Sequence, residues 1–327
     1  MKKRVLVPLA LAATVALAGA GCSSGDDGGA GGGGSTITVG QWRPGPLAST
    51  SLVSKMLADN TELESEHAVD VSVEYYTNLQ ALYTDLARGR IDVVVGGPEA
   101  FASSALQGAP ISVAGSLSRS NAAILSEGEE FTEENLRGAR MVAPSTTGTW
   151  AAVQLEIEDK TGLVANEDYE VVNGESPTGS IQQLAAGTAD FAMSWGEAIA
   201  AAEPQFPNVE VVADAEELAI DDKPFIQFVV AMNTDNVDHE VAERLMAAYA
   251  DQVAWMEENP DEVEVVAVQE GNTEGVILSM IEEGRSNFDV HAFPGPEADE
   301  LRTTLQRMAD AGVIEGVPGD SFFNAGK

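Results

Sequence analysis

The sequence predicts an α/β protein with two lobes, each built on a mainly parallel β-sheet flanked by helices. Short apolar runs rich in β-branched residues alternate with segments of helical periodicity, which favours parallel sheets with helices on both faces. The alternation starts again after Asn135. Residues 36–327 are also long enough for two ordinary domains. A duplicated α/β architecture therefore fits both the pattern and the length.

The predicted elements form two series along the chain. The predicted strands are 36–39, 69–76, 91–95, 111–114, 140–143, 169–172, 191–195 and 209–213. The predicted helices are 48–57, 79–87, 98–106, 150–160, 180–186 and 199–202. Helices thus separate the strands within each series, as crossover connections between parallel strands require.

The two series share one unit at an offset of 98 residues. Four positions of the first series recur in the second, namely Leu86, Gly89, Asp92 and Glu99 as Leu184, Gly187, Asp190 and Glu197. The unit consists of a helix, a glycine that can cap it, an aspartate, a buried strand and a helix that opens with glutamate. Any two α/β units share some of these features, but the matched spacing favours a structural repeat.

The start of the chain predicts export. Residues 2–4 are basic and residues 5–20 are almost wholly apolar, which is shorter than the roughly 20 residues of a bilayer span and favours a signal peptide. Small residues then lead into Cys22, the single cysteine, as in a bacterial lipobox, although Gly19 stands where leucine is usual. We predict a signal peptide over 1–21, a lipidated Cys22 and a Gly-rich tether over 22–35. An ordinary secreted protein and an uncleaved signal anchor are the alternatives.

The charge of the chain limits its partners. With 17 basic and 53 acidic residues, the formal net charge is −36 at pH 7. This charge disfavours nucleic acid and anionic lipid headgroups as partners of its surface, so we expect no nucleic acid partner and membrane contact through the lipid anchor alone. A single cysteine also rules out an intramolecular disulfide.

The carboxyl ends of the predicted strands are where a ligand is expected, because open parallel sheets bind ligands there. Two such lobes would enclose a cleft between these ends. Three of the four tryptophans, Trp42, Trp150 and Trp195, fall at strand ends, whereas Trp255 lies in a late helix. Flat rings bury ligand area at low entropy cost, so these three predict an aromatic-lined cleft. Core packing is the alternative for each.

A family resemblance covers most of the chain. Its matching segments, in chain order, are LARGRIDVVVGGPEA, LRGARMVAPSTTGTWAAVQLEIEDKTGL, QQLAAGTADFAMSWGEAIAA, VVAMNTDNVDHEVAERLMAAYADQVAWMEENPDEV and AGVIEGVP. With them the chain resembles the solute-binding proteins of nitrate, sulfonate and taurine ABC importers, a group that includes binders of thiamine-pyrimidine precursors. Each segment is weak alone, but the ordered set is specific.

The resemblance implies a two-lobed type II periplasmic-binding-protein fold whose chain crosses between the lobes near 117–125 and 225–233. Lobe 1 would then comprise residues 36–118 and 226–327, and lobe 2 residues 119–225. The family mechanism implies that the lobes close on a ligand and that the closed form docks on a permease driven by a cytoplasmic ATPase. We accordingly expect a monomer at the extracytoplasmic face of the cell membrane.

The candidate ligand contacts come from strand ends in both lobes. Hydroxyls and backbone N–H groups of residues 145–149 stand at a predicted helix start, which suits an anionic group, and the family's equivalent turn lines the pocket, which implies contacts from 146–150. Plain N-capping by Thr147 or Thr149 is the alternative. The candidate ligand-binding residues are Trp42, Arg43, Gly97, Pro98, Arg119, Asn121, Thr146, Thr147, Gly148, Thr149, Trp150, Trp195 and Glu197.

The residue types at these positions favour an organic ligand with a planar or apolar body and donor groups. Arg43 and Arg119 are the cations near predicted strand ends, and either could pair with a sulfonate, carboxylate or phosphate. Two basic side chains are few for a family whose members bind nitrate. Glu99 and Glu197 could meet ligand donors, or could instead serve their own helix starts.

Catalysis finds little support in the sequence. The three histidines, His67, His239 and His291, are scattered, and no cluster of Cys, His and carboxylates has metal-ligand spacing. No nucleophile elbow, P-loop or dinucleotide motif occurs, so we expect no cofactor. The acidic pair at 221–222 predicts a solvated loop rather than a calcium site. Two other functions stay open: an enzyme on the same fold, as among pyrimidine-synthesising relatives, and a sensory lipoprotein without a transporter.

Overall fold

A computed structural model describes residues 36–43, 45–220 and 223–325 of the chain. The predicted signal peptide, Cys22 and the whole predicted tether lie outside the described residues, as does the acidic pair at 221–222. Within the described part of the chain, no helix combines the length and the apolar character that a membrane span requires.

Strands and helices alternate through most of the chain. The strands are β1 (Thr36–Trp42), β2 (Asp70–Tyr76), β3 (Val93–Gly96), β4 (Ile111–Arg119), β5 (Ala122–Ser126), β6 (Arg140–Ala143), β7 (Glu170–Asn173), β8 (Phe191–Trp195), β9 (Glu210–Ala213), β10 (Ile226–Asn233) and β11 (Phe288–Ala292). The helices are α1 (Ser49–Asp59), α2 (Thr61–His67), α3 (Leu79–Ala87), α4 (Pro98–Leu106), α5 (Glu133–Leu136), α6 (Gly148–Thr161), α7 (Pro177–Ala185), α8 (Gly196–Ala202), α9 (Ala215–Leu218), α10 (His239–Glu258), α11 (Pro260–Gln269), α12 (Val276–Glu282) and α13 (Pro296–Asp310), followed by a 3₁₀ turn (Asp320–Phe323).

The strands form two sheets with related orders. The first sheet has the order β11-β4-β10-β3-β1-β2 and the second β7-β6-β8-β5-β9. We call the first sheet with the helices packed on it lobe 1 and the second lobe 2. The chain passes to the second sheet between β4 and β5 and returns between β9 and β10. The predicted α/β architecture with two sheets is confirmed, while the residue boundaries of the lobes stay a prediction.

The sheets are less regular than the predicted parallel arrangement. β1, β2 and β3 pair in parallel, as do β6, β7 and β8, but β10 runs antiparallel to β3 and β4, and β5 antiparallel to β8 and β9. Both reversed strands enter their sheet directly after the chain changes lobe. The predicted crossing segments 117–125 and 225–233 are therefore mostly strand, and the predicted strand 111–114 extends to Arg119.

The predicted repeat is present as matched local geometry. Gly89 and Gly187 both end a helix with positive φ angles, +66° and +67°, which glycine adopts without steric cost. The carboxylate of Asp92 accepts a bond from the backbone N–H of Thr38 at 2.8 Å. That of Asp190 accepts one from Arg140 at 2.8 Å. In each lobe the aspartate therefore helps to fix the register of the third parallel strand, β3 or β8, beside the first, β1 or β6.

Buried apolar side chains also join the two lobes. Phe101 on α4, Trp150 on α6 and Leu301 on α13 belong to one hydrophobic cluster, with exposed fractions of 1%, 4% and 0%. Since α4 packs in lobe 1 and α6 in lobe 2, this cluster spans the boundary, and α13 packs on both helices. Burial of this apolar surface stabilises the two lobes against each other.

A cluster of charges holds the two crossings together. The Arg119 guanidinium contacts Asp289 at 2.7 Å, the Pro224 carbonyl at 2.8 Å, and Glu300 on α13. Lys223 also pairs with Glu300 at 2.6 Å. Partial burial opposes it, but the bonds from Arg119 and Lys223 lower the pKa of Glu300. Both crossings are thereby tied to β11 and α13.

A buried carboxyl group lies where α6 meets α13. Glu156 is 6% exposed, and burial raises its pKa to about 7, although Arg307 and Lys160 act in the opposite direction. Ionisation of this group therefore costs folding free energy. The stabilising effect of its protonated form is fully present below the ordinary pKa of 4.5 and is lost as pH rises towards 7.

We predict that Glu156→Gln flattens this pH dependence. The wild-type free energy of unfolding should fall by about 3 kcal/mol between pH 4.5 and pH 8 through this group, and the variant should lack that component. Denaturant titrations across this range measure it, with Glu158→Gln, an exposed neighbour on the same helix, as the control. Parallel curves for the Glu156→Gln variant and the wild type would contradict the assignment.

Candidate functional site

The turn before α6 carries the predicted hydroxyl-rich segment. β6 ends at Ala143, and the Thr147 side chain then caps α6 by accepting a bond from the Trp150 backbone N–H at 3.2 Å. Its hydroxyl donates to the Pro144 carbonyl at 2.8 Å. Thr147 therefore serves the helix start, as the capping alternative expected, whereas Thr146 beside it is exposed.

A cavity of about 550 Å³ opens at this turn. Residues from lobe 1, lobe 2 and the segment after α13 line it. They are Glu99, Ser145, Thr146, Thr147, Gly148, Trp150, Ala151, Gln154, Asn166, Val171 and Val313. The cavity thus brings the predicted segment of lobe 2 together with a glutamate that follows β3 in lobe 1.

Glu99 lies directly over the start of α6. A Cβ atom on Gly148 would overlap the Glu99 carboxylate, and one on Gly97 would also crowd it. Glycine at these positions therefore lets the two helix starts approach each other. Glu99 is half-buried, and this burial raises the pKa of its carboxyl group. Pro98 fills the first position of α4, where its missing N–H has no cost.

Glu197 of lobe 2 makes the corresponding contact with the start of a helix in lobe 1. Its Oε1 accepts a hydrogen bond from the backbone N–H of Ser49 at 2.6 Å. Ser49 is the first residue of α1, and the preceding Ala48 provides no side-chain cap. A carboxylate near a helix N-terminus is favourable, so Glu197 caps α1 from the other lobe. Ser49 was not predicted, although it follows β1 as Gly148 follows β6.

Thr149 and Asn121 join the lobes through a strand that sequence motifs did not identify. Gln227 on β10 donates from Nε2 to the Thr149 hydroxyl at 3.1 Å. Its Oε1 accepts from the Asn121 backbone N–H at 3.4 Å. Asn121 also donates to the Arg285 carbonyl at 3.2 Å. These predicted residues therefore hold the lobes together near the crossings.

Asn121 lies outside the cavity at Glu99. It lines a second cavity of about 430 Å³ with Gly196 and Arg285, so the predicted residues divide between two openings.

Both predicted cations already have acidic partners. Arg43 pairs with Glu270 at 2.8 Å and lies 4.9 Å from the centre of the Tyr75 ring. Arg119 has all three guanidinium nitrogens bonded within the charge cluster at the crossings. The interpretation of either one as a free partner for an anionic ligand does not fit this arrangement. The acidic partners are distant in sequence, which explains why the pairing was not predicted.

The tryptophans occupy three different environments. Trp150 is 4% exposed and belongs to the hydrophobic cluster that spans the lobes, so the core-packing alternative describes it. Trp42 is 45% exposed, and Trp195 is partly buried against the same cluster at the end of β8. Trp255 lines a separate cavity of about 600 Å³ beside α1 and α2. Trp150 also lines the cavity at Glu99, whereas Trp195 is not among that cavity's lining residues.

Metal binding has no obvious geometry here. Among the residues that the structure describes, no three His, Cys, Asp or Glu side chains are grouped so that they could hold a metal ion.

We predict that Gly148→Ala lowers the free energy of unfolding, because the added methyl group overlaps the Glu99 carboxylate and forces that side chain to move. Denaturant titration measures the loss. Gly316→Ala, where a Cβ would meet no atom within 4 Å, should leave the stability unchanged through contacts of this kind. Adding Glu99→Ala to Gly148→Ala should relieve the overlap. Equal stabilities for Gly148→Ala and the wild type would show that the Glu99 contact does not constrain the start of α6.

Solved structures share this fold. The periplasmic aliphatic sulphonate-binding protein SsuA from Escherichia coli matches at a TM-score of 0.71 and 14% identity, over 88% of this chain and 91% of that chain. An ABC transporter structure from Parabacteroides distasonis matches at 0.68 and 17%, over 89% and 99%. The alkanesulfonate-binding SsuA from Xanthomonas axonopodis pv. citri, bound to MOPS, matches at 0.61 and 16%, over 85% and 92%.

Sequence comparison supplies the family. Among curated proteins, none is similar enough in sequence to match this chain. A family model described as "ABC transporter, phosphonate, periplasmic substrate-binding protein" matches residues 48–270, which is more than half of the chain. The predicted relation to the solute-binding proteins of ABC importers is thus confirmed. The chain belongs to the family of periplasmic substrate-binding proteins of phosphonate ABC transporters.

Proposed function

We propose that this protein is the extracytoplasmic, lipid-anchored binding component of an ABC importer, and that it carries a small organic ligand to its permease. The observation that supports this most is the cavity at the lobe boundary, because Glu99 from lobe 1 and the turn before α6 from lobe 2 both line it. A site lined by two lobes lets a ligand favour the closed arrangement through its contacts to both.

The charges at this site support an organic ligand over a bare inorganic anion. Glu99 and Glu197 contribute carboxylates at the lobe boundary, whereas Arg43 and Arg119 are neutralised by other acidic side chains. We propose a taurine- or sulfonate-like molecule or a planar heterocycle that carries donor groups. The contacts proposed for it are Gly97, Pro98, Thr146, Gly148, Thr149, Trp150, Trp195 and Glu197, with Trp42 at the rim.

Closure in this proposal depends on the crossings. Arg119 and Lys223 tie both crossing segments to α13, so bending is confined to a short stretch of chain. Thr149 and Gln227 then connect α6 to β10 when the lobes are together. A ligand adds contacts that exist only in this closed arrangement. The ratio of its affinities for the closed and open arrangements sets how far the equilibrium shifts towards the closed one. The monomeric state and the domain boundaries given by the sequence belong to the same proposal.

We predict that Cys22→Ala abolishes acylation. Without the thiol no lipid can be attached, so the variant should remain unprocessed or fractionate away from membranes. Labelled palmitate and membrane fractionation measure both effects. A wild-type protein that incorporates no label and partitions without membranes would contradict the lipid anchor.

We also predict the order in which three substitutions weaken ligand binding. Trp195→Ala should cost about 1–3 kcal/mol through the loss of a large rigid contact. Thr149→Val should cost about 1 kcal/mol, because it removes the acceptor for Gln227 and keeps the shape. Trp255→Ala, in a different cavity, should lower stability and leave the affinity nearly unchanged.

Calorimetry on folded protein measures these losses with a ligand found by thermal-shift screening of sulfonates, taurine, phosphonates and pyrimidines. A larger affinity loss for Trp255→Ala than for the other two would place the site in lobe 1 instead.

A further inference from the structure

Glu99 and Glu197 occupy equivalent positions in the two lobes. They are 98 residues apart, and each is the second residue of the helix that follows the third parallel strand of its lobe, α4 after β3 and α8 after β8. The glycines and aspartates of the same repeat adopt matching geometry. The two glutamates can therefore be compared as one position in two settings.

Each glutamate contacts the first long helix of the opposite lobe. Glu197 lies at Ser49, the start of α1, and Glu99 lies at Gly148, the start of α6. α1 follows β1, the first strand of its lobe, and α6 follows β6, so the two contacts mirror each other. The carboxylates thus cover the two helix ends where free N–H groups and the helix dipole would otherwise favour an anionic ligand group.

The two contacts differ in their hydrogen bonds. Glu197 accepts a bond from the Ser49 backbone N–H at 2.6 Å. Glu99, among the residues described, receives no donor from another residue, and its own backbone N–H is what lowers its pKa against the raising effect of burial. Partial burial without a protein donor is unfavourable for a carboxylate, and a ligand donor would reduce this cost. Glu99 is therefore an open acceptor, whereas Glu197 is a satisfied one.

The size and lining of the cavity beside Glu99 indicate which ligand groups would fit there. Its volume of about 550 Å³ admits a small organic molecule, and the lining residues given above include Glu99 as the acid and no Lys, Arg or His. The cations predicted for the site, Arg43 and Arg119, are paired elsewhere. An N–H donor or a cation placed against Glu99 would stabilise its ionised form, whereas an anion placed there would oppose ionisation.

We propose that Glu99 is the specificity-determining residue of this cleft and that the ligand presents it an amino or amidine-like group, while Glu197 keeps the equivalent position for capping α1. This inference rests on the proposed function and names the chemical class of its ligand. An ammonium group would form a charge-assisted hydrogen bond with Glu99, and such bonds are stronger than neutral ones. The aminated end of the ligand would lie at lobe 1 and its body against the turn before α6.

The test uses matched probes that differ in one amino group. Taurine is compared with isethionate, 2-aminoethylphosphonate with ethylphosphonate, and 4-aminopyrimidine with pyrimidine, each by calorimetry on the full chain. We expect at least one aminated probe to bind, and its amine-free partner to bind about tenfold more weakly. Glu99→Gln should weaken the aminated probe by about tenfold and leave its partner unaffected. Glu99→Asp, which keeps the charge, should retain the preference.

A control variant separates the effect of Glu99→Gln on affinity from the effect of removing any one negative charge from the protein. Glu134→Gln removes one exposed carboxylate at the start of α5 and should change no affinity. Equal binding of both members of a pair, or unchanged binding of an aminated probe to Glu99→Gln, overturns the inference. If Trp195→Ala still weakens that binding, the proposed function stands. No binding by any of the six probes counts against the proposed function and removes the inference with it.

Discussion

Two helices, α1 and α6, point their N-termini at the boundary between the lobes, and each is covered by a glutamate from the opposite lobe. The first N–H groups of a helix lack partners within it, so some acceptor must meet them. Glu197 provides that acceptor for Ser49 at 2.6 Å, and Glu99 lies over Gly148. This reciprocal contact explains why glycine stands at the start of α6 and why the lobes can meet with little space between their helix ends.

Other interactions at the boundary depend on this approach. When the helix starts meet, Thr149 comes within 3.1 Å of Gln227 on β10. Phe101 and Trp150 then share one buried cluster, which removes apolar surface of both lobes from water. Arg119 ties both crossings to α13 and β11. The fold thus combines a charged anchor at the crossings with an apolar contact, a carboxylate cap from Glu197 and a second carboxylate, Glu99, that lies over the start of α6.

The sequence predicted the local structure better than the long-range contacts. α3, α4, β6 and β8 have the predicted bounds, because apolar periodicity and terminal glycine, proline or aspartate are local signals. β5 was taken as part of a crossing, since a short apolar run next to a chain reversal has no distinguishing period. α2 was missed because its residues, TELESEH, include none that is buried.

The candidate site shows the same limit. The strand-end rule predicted a site at the turn before α6, where the structure has a cavity, and the repeat identified Glu99 and Glu197 as equivalent. Pairing of Arg43 with Glu270 and of Arg119 with Glu300 joins residues more than 150 positions apart, and no local pattern reports such contacts. Trp150 could not be distinguished from a ligand contact, because a tryptophan after a strand suits both a core and a cleft.

A structure of the complex with an aminated probe tests the central claim most directly. The account predicts the probe at the lobe boundary, with its nitrogen about 3 Å from the Glu99 carboxylate and its body against the turn before α6. Arg119 should keep its bonds to Asp289 and Glu300. A probe bound beside Trp255 in lobe 1, or one that draws Arg119 away from its acidic partners, would contradict it.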